Sequence, residues 1–336
     1  MTRSTNSLAQ DSHQTLRNVF TQSSAVWKSP PTLTVSEWAE KHLRLSAEDS
    51  SEPGRYTCDR APFQRGMLDA LCDPNIDEVV VMSSAQVGKT TILKAIIGYF
   101  IDQDPTTILC VLPTVEMAQT FSRDRLAVMV RDSPVLKDKI ADPKSRISGN
   151  TILHKRFPGG HITLAGSNSP ASLASRPIRI VLLDEVSRMP ESAGSEGDPV
   201  SLARKRATTF WNSKVVMTST PTIKGFCRIE QAYESSDQRR YFVPCPHCGH
   251  KQTLTWANVK FDPHEPEGAH VECAKCEQPW TEGERQRAIL GGEWVATAKR
   301  RGIAGFHINE IYSPWSSPAK MAQAFLDAKA GGTEQL

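Results

Sequence analysis

Val79-Val80-Val81-Met82-Ser83-Ser84-Ala85-Gln86-Val87-Gly88-Lys89-Thr90 sets a short apolar run against a polar turn containing one glycine, and the residues after it keep helical spacing to Phe100. A buried strand, a tight turn and a helix in that order form a loop whose backbone amides and helix N-terminus converge on an anion. In a loop of this kind Ser84, Gln86, Gly88, Lys89, Thr90 and Thr91 surround the phosphates of a nucleotide. Lys89 reaches the β- and γ-phosphates, and the Thr90 hydroxyl holds Mg²⁺. The position usually filled by the first glycine is Ser83, so the segment alone also fits an ordinary strand-to-helix turn.

Outward from this loop, apolar strands and helical patterns alternate. Thr107 to Leu112 reads as a strand ending at Pro113-Thr114, followed by helical spacing from Val115 to Val130. Further strands read at Ile162 to Ala165, Ile178 to Leu183 and Lys214 to Thr218. The alternation predicts an α/β fold, a mostly parallel sheet flanked by helices, with ligands at the carboxyl ends of the strands. One of those ends is Ile180-Val181-Leu182-Leu183-Asp184-Glu185. Asp184 is placed to hold Mg²⁺ through its water shell, and Glu185 to orient the attacking water, because phosphoryl transfer depends on positioning and charge stabilisation. Alone, the strand would be one that merely ends in a solvated acidic pair; its order after the phosphate loop argues for a joint site. Lys214-Val215-Val216-Met217-Thr218 runs into Ser219-Thr220-Pro221-Thr222, which brings hydroxyls to the same edge, where they can sense a γ-phosphate. Upstream, Gln64 of Pro62-Phe63-Gln64 is read as pairing both its amide groups with an adenine edge.

The chain has 336 residues, 39% of them hydrophobic, which suffices for a sizeable core. Its 40 basic and 37 acidic residues leave a net charge of +3, so contact with nucleic acid must use local patches. No apolar run is long enough to span a bilayer, and the polar start lacks the apolar core of a secretory signal; a cytosolic protein is expected. Residues 1–34 read as a flexible arm, followed by Val35 to Leu45 in helical spacing with Trp38 as its buried anchor. Eight cysteines in a cytosolic chain read first as metal ligands where they cluster. Cys245-Pro246-His247-Cys248 and Cys273-Ala274-Lys275-Cys276 suit one tetrahedral Zn²⁺ held by four thiolates, a closed and therefore structural site. Four sulfurs leave no place for His247, His250 or His270. The ribbon either staples a loop or presents residues such as Lys251 and Trp256 to DNA or a partner. Cys58, Cys72, Cys110 and Cys227 read as small core hydrophobes. The expected organisation is a P-loop ATPase core over 35–240, an inserted zinc ribbon over 241–298, and the end of the ATPase region over 299–336.

Together these motifs resemble the large terminase subunits of tailed phages, particularly the lambda-like GpA type. The likeness runs from about Val35 onward. It rests on Gln86-Val87-Gly88-Lys89-Thr90, on Gly166 to Arg176 leading into Leu182-Leu183-Asp184-Glu185-Val186-Ser187-Arg188, and on Thr218-Ser219-Thr220-Pro221-Thr222-Ile223-Lys224-Gly225. The Cys245-Pro246-His247-Cys248 knuckle and Gly305-Phe306-His307-Ile308-Asn309-Glu310-Ile311-Tyr312-Ser313-Pro314-Trp315 fit the same type. The resemblance implies an ATP-hydrolysing motor that packages double-stranded DNA into a procapsid in the bacterial host cytoplasm. It would work as a homo-oligomeric ring with a portal protein and a small terminase subunit. Lys89 and Thr90 carry over as P-loop residues, Asp184 and Glu185 as the acidic pair, and Ser219 and Thr220 as the coupling motif.

Two departures follow from that likeness. Many members place an arginine inside the P-loop, where this chain reads Ser84-Ala85-Gln86, so Arg176 or Arg179 is expected to supply the charge. Full-length members also carry a C-terminal nuclease domain, which this chain, ending at Leu336, does not contain; ATPase activity without DNA cutting is expected of it. Two other readings share parts of the pattern: a helicase-like remodelling ATPase, and a non-catalytic zinc-ribbon adaptor with a degenerate P-loop.

Overall fold

A computed structural model of the chain describes residues 32–140, 150–169 and 177–331. In chain order its elements begin with α1 (Val35–His42), β1 (Arg44–Leu45), β2 (Gly54–Arg55), α2 (Phe63–Asp69), β3 (Ile76–Ser83), α3 (Lys89–Asp102), β4 (Thr107–Leu112) and α4 (Val115–Thr120). A π-helical turn, Phe121–Leu126, separates α4 from α5 (Ala127–Asp132), and α6 (Pro134–Lys137) follows. Then come β5 (His154–Phe157), β6 (Gly160–Gly166), β7 (Ile180–Asp184), α7 (Pro199–Ala207), β8 (Lys214–Ser219), α8 (Arg228–Glu234), β9 (Arg239–Pro244) and β10 (Lys251–Gln252). The last are β11 (Val259–Asp262), β12 (Glu265–Glu272), β13 (Pro279–Trp280), α9 (Glu282–Leu290), β14 (Glu293–Val295), β15 (Gly302–Ile308) and α10 (Pro318–Ala330).

The main sheet runs β10-β9-β15-β3-β8-β7-β4-β6-β5, with β14 also against β9. From β9 to β6 every neighbouring pair is parallel, and β5, β10 and β14 add antiparallel edges. Successive residues of a strand face opposite sides of a sheet. Val80, Met82, Val181, Leu183, Val215 and Met217 are buried on one side with Ala203 of α7 and Ile229 of α8. Their neighbours Val79, Val81, Ile180, Leu182 and Val216 are buried too, so both faces are covered and the middles of these strands are apolar runs. α1 shows how the helices on the second side are fixed. Thr34 and Glu37 close a capping box at its start, and Trp38, fully buried, donates its indole N–H to Asp102 Oδ2 at 2.7 Å. A Cβ at Gly98 of α3 would lie 2.2 Å from the Trp38 ring, so only glycine lets the two helices meet there.

The helix read from Val115 to Val130 is present over those residues and contains a π-helical turn, a local widening that side-chain periodicity does not reveal. The ribbon expected over 241–298 is continuous with the main sheet. β9 and β14 belong to the main sheet, and the knuckle Cys245–Cys248 is the turn from β9 into β10. β11, β12 and β13 form a separate three-stranded antiparallel sheet. Trp256 and Phe261 beside that sheet stack with Phe325 of α10, the ring centroids lying 5.1 and 6.1 Å from Phe325. The arm expected over residues 1–34 lies, through residue 31, outside the described residues. No helix among the described residues is long and apolar enough to cross a membrane.

Candidate nucleotide site

Strand register decides which side chains meet. Met82 of β3 pairs with Ser219 of β8, and Thr218 of β8 pairs with Asp184 of β7. The three strands therefore deliver the phosphate loop, the hydroxyls and the carboxylates at one level of the carboxyl edge, with β8 in the middle. Lys89 begins α3 and extends across that edge. Its Nζ lies 3.0 Å from Glu185 Oε1 and donates to Thr220 Oγ1. Ser219 Oγ donates to the other carboxylate oxygen of Glu185 at 3.4 Å and accepts from the Ser187 backbone N–H at 3.2 Å. Asp184 accepts a 2.6 Å bond from the Thr218 hydroxyl. Desolvation raises the Asp184 carboxyl above the usual carboxylate range, against the pull of the Thr218 bond. The structure brings Lys89, Asp184, Glu185, Ser219 and Thr220 together as the sequence implies.

The loop itself is braced from behind. Gln86 and Gly88 have φ of 60° and 84°, in the left-handed region, and Gly88 caps α3. Ser84 N–H donates to Ile308 O of β15 at 3.1 Å, and Ser313 Oγ donates to Gln86 O at 2.7 Å. Gln64, 1% exposed, donates from Nε2 to Val87 O at 2.8 Å and accepts the Tyr56 hydroxyl at 2.8 Å. Each amide group of Gln64 thus makes one bond within the protein, and Gln64 braces the loop from behind. A Cβ at Gly88 would lie 2.4 Å from Gln64 Nε2 and 3.6 Å from the Trp315 ring, which makes this glycine obligatory on packing as well as on φ. Between Tyr56, Arg60, Gln64, Thr91 and Trp315 opens a cavity of about 150 Å³. The buried indole nitrogen of Trp315 has no hydrogen-bond partner among the described residues. Ser313 and Trp315 carried no site reading in the sequence, although they lie in the Gly305 to Trp315 stretch that bore the resemblance.

Three arginines and one cysteine complete the inventory. Arg176 lies outside the described residues. Arg179 is corrected as a phosphate donor, because it precedes β7 at the amino edge of the sheet and forms a bidentate pair with Asp104 at 2.8 and 2.6 Å. Arg188, on the turn after Glu185, lies 3.8 Å from Glu185 Oε2. Cys227 ties two loops of the site: Ser187 Oγ lies 3.1 Å from its sulfur, and Thr222 N–H donates to it at 3.2 Å. Burial pushes this thiol up, but the bonds from Ser187, Thr222 and Glu230 outweigh it and hold it below the ordinary thiol range. Cys58 and Cys110 are buried as expected, whereas Cys72 is exposed at the end of the turn after α2 and is no core residue.

The ligand atoms of Cys245, Cys248, Cys273 and Cys276 lie within 4.8 Å of one another. Sulfurs from opposite knuckles are 3.8 Å apart in both pairs, Cys245 with Cys276 and Cys248 with Cys273. A tetrahedron with zinc to sulfur bonds of about 2.3 Å has edges of about 3.8 Å, so the donor set fits that ion. Backbone N–H groups of His247 and Lys275 donate to Cys245 and Cys273 at 3.4 Å, as a thiolate would require.

A family model described as the ATPase domain of the phage terminase large subunit gpA matches residues 50–294, which includes the nucleotide edge and the cysteine knuckles. The large terminase subunit of Enterobacteria phage P21 is 29% identical over 327 residues, covering 89% of this chain and 50% of the relative. That of Escherichia phage lambda is 30% identical over 252 residues, covering 73% of this chain and 39% of the relative. The chain thus spans half or less of the length of these relatives. Among solved structures, the ATPase domain of the Thermus phage P74-26 large terminase aligns with a TM-score of 0.46 at 11% identity, covering 80% of this chain and 86% of that one. The HK97 bacteriophage large terminase aligns with a TM-score of 0.45 at 15% identity, covering 61% and 40%. With nearly three quarters of its residues matched by one family model, the chain belongs to the gpA ATPase-domain family of phage terminase large subunits.

Proposed function

We propose that this chain hydrolyses ATP to drive double-stranded viral DNA into a procapsid. The observation that carries the reading is the meeting of Lys89, Glu185 and Thr220 at one sheet edge, with β8 between the loop strand and the acidic strand. Lys89 now lies against the Glu185 carboxylate. A γ-phosphate entering the loop offers it a stronger anionic partner, and Glu185 is then free to accept a hydrogen bond from water. Water oxygen attacks the γ-phosphorus, the bond from that phosphorus to the β,γ-bridging oxygen breaks, and the electron pair leaves with ADP. The proton released by water passes first to Glu185 and then to phosphate. Mg²⁺, held by Thr90 and Asp184, would neutralise charge on the phosphates. Thr220 loses its Lys89 partner when Lys89 turns to phosphate, which makes the Ser219-Thr220 segment the natural relay of nucleotide state.

The opening beside Gln64, Thr91 and Trp315 marks the nucleoside side of the site, and Ser84, Gln86 and Gly88 mark the phosphate side. Zn²⁺ in the four-cysteine site would fix the turn from β9 to the β11–β13 sheet. Duplex DNA, a portal protein, a small terminase subunit and a homo-oligomeric ring belong to the same proposal, as does work in the host cytoplasm; family membership supports them. A purely adaptor role leaves the Lys89–Glu185 pair without a purpose. The test is steady-state ATP hydrolysis with and without linear duplex DNA, for the wild type, Glu185→Gln and Lys89→Ala. DNA-stimulated turnover that Glu185→Gln abolishes with nucleotide binding intact supports the motor. A wild-type protein that binds no nucleotide, even with portal present, would overturn it.

A further inference from the structure

We propose that Arg188 supplies, in cis, the guanidinium that balances charge on the transferring γ-phosphate. The inference rests on the ATP-hydrolysis reading above and adds a catalytic residue to it. Charge spreads over the γ-phosphate oxygens as the bond to the bridging oxygen loosens, and a planar guanidinium meets two of them at once. The phosphate loop offers no guanidinium: between Ser84 and Val87 stand Ala85 and Gln86.

Arg179, Arg188 and Arg228 lie near the acidic strand, and their partners separate them. Arg179 is held by Asp104 at the far edge of the sheet. Arg228 donates to Val186 O, Met189 O and Pro190 O at 2.9, 3.4 and 3.2 Å and pairs with Asp198 at 3.1 Å, so its guanidinium is structural. Arg188 is 66% exposed, and among the described residues its one ion pair is the 3.8 Å approach to Glu185 Oε2. An exposed pair of that length contributes little to stability. Its backbone, by contrast, is fixed. Arg188 N–H donates to Glu185 O at 2.9 Å, and the Arg228 bonds clamp the turn on both sides.

A fixed backbone with a free guanidinium is what a group needs if it must swing from a carboxylate to a substrate. Glu185 sits between two cations, Lys89 on Oε1 and Arg188 on Oε2. On this proposal the γ-phosphate that draws Lys89 into the loop also takes Arg188 from Glu185. Arg188 makes and breaks no covalent bond; water to phosphorus, bridging oxygen to ADP and proton to Glu185 remain as described.

The experiment uses the full chain with portal and linear duplex DNA. Arg188→Ala should lower kcat by on the order of 10³- to 10⁵-fold, the scale of a removed arginine at a transferring phosphate. The KM for ATP should hardly change, and trapping of ADP with aluminium fluoride should be lost while ADP binding persists. Arg188→Lys, which keeps the charge without the fork, should fall between, and added guanidinium ion should partly restore Arg188→Ala. An Arg188→Ala protein that turns over ATP at the wild-type rate would overturn the assignment. So would restored turnover on mixing Arg188→Ala with Glu185→Gln subunits, since that requires the arginine to act on a neighbouring subunit. A wild type without ATPase activity would instead defeat the functional reading beneath it, and the inference with it.

Discussion

Arg285 is the residue through which the region of the cysteine knuckles holds the phosphate loop, and its removal has a calculable cost. It lies on α9 at 1% exposure and donates to Ile311 O, to Ser313 O at 3.2 Å and to Ser316 O at 2.9 Å. The segment so held carries Ser313, which bonds Gln86 O, and Trp315, which abuts Gly88. Glu282, the carboxylate partner of Arg285, is half exposed and contributes little. Hydrogen bonds from a charged donor contribute about 1.5–3 kcal/mol each. Three of them set a ceiling of roughly 4–9 kcal/mol, and water entering the vacated site reduces the loss to about 3–5 kcal/mol. Arg285→Ala should therefore lower the melting temperature by on the order of 10 °C. It should also raise the KM for ATP more than it lowers kcat, because the loop loses a brace while Lys89 and Glu185 stay in place. Scanning calorimetry and nucleotide titration read the two effects. A variant that melts within about 2 °C of the wild type with an unchanged KM would refute the chain of contacts from α9 to the loop.

Four further outcomes follow from the geometry. Lys94 and Asp49, 3% and 1% exposed and 2.7 Å apart, form a buried pair; Lys94→Met should cost about 3–5 kcal/mol by denaturant unfolding, and adding Asp49→Leu should recover most of it. Cys276→Ser should release zinc, measured by metal analysis, and speed hydrogen exchange across 245–280, whereas slow exchange in the metal-free protein would show that the ribbon holds itself together. Trp315→Phe keeps the ring but removes the unpartnered N–H, so it should raise the KM for ATP several-fold and abolish the nucleotide-induced change in tryptophan fluorescence. Burial, helped by the Arg240 charge, holds His307 below the ordinary imidazole range. A depressed folded pKa contributes stability above the unfolded value of about 6.5 that is lost as pH falls, so His307→Gln should flatten the decline in urea midpoint between about pH 7.5 and 5.

The nucleotide edge was legible in the sequence because its strands are buried on both faces. Each reads as an unbroken apolar run, and the chemistry sits where the run stops, at Ser84, Asp184 and Ser219. Elements set by distant pairing were not legible. β15 inserts between β3 and β9, joining residues more than two hundred positions apart, and β9 reads as polar because Arg239 and Arg240 open it. At Gln64 the letter shows four hydrogen-bonding valences and not which of them the loop already fills. The same gap explains the arginines. In the sequence Arg179, Arg188 and Arg228 are equal charges flanking one acidic pair. The fold separates them by what each already holds: a carboxylate across the sheet, a carboxylate at the reacting edge, and a set of backbone carbonyls. A cation committed to carbonyls cannot leave without exposing them, and one paired to a distant acid cannot reach the site. Among the described residues, the charge left free to act is the one whose partner, Glu185, also holds the lysine that substrate would draw away.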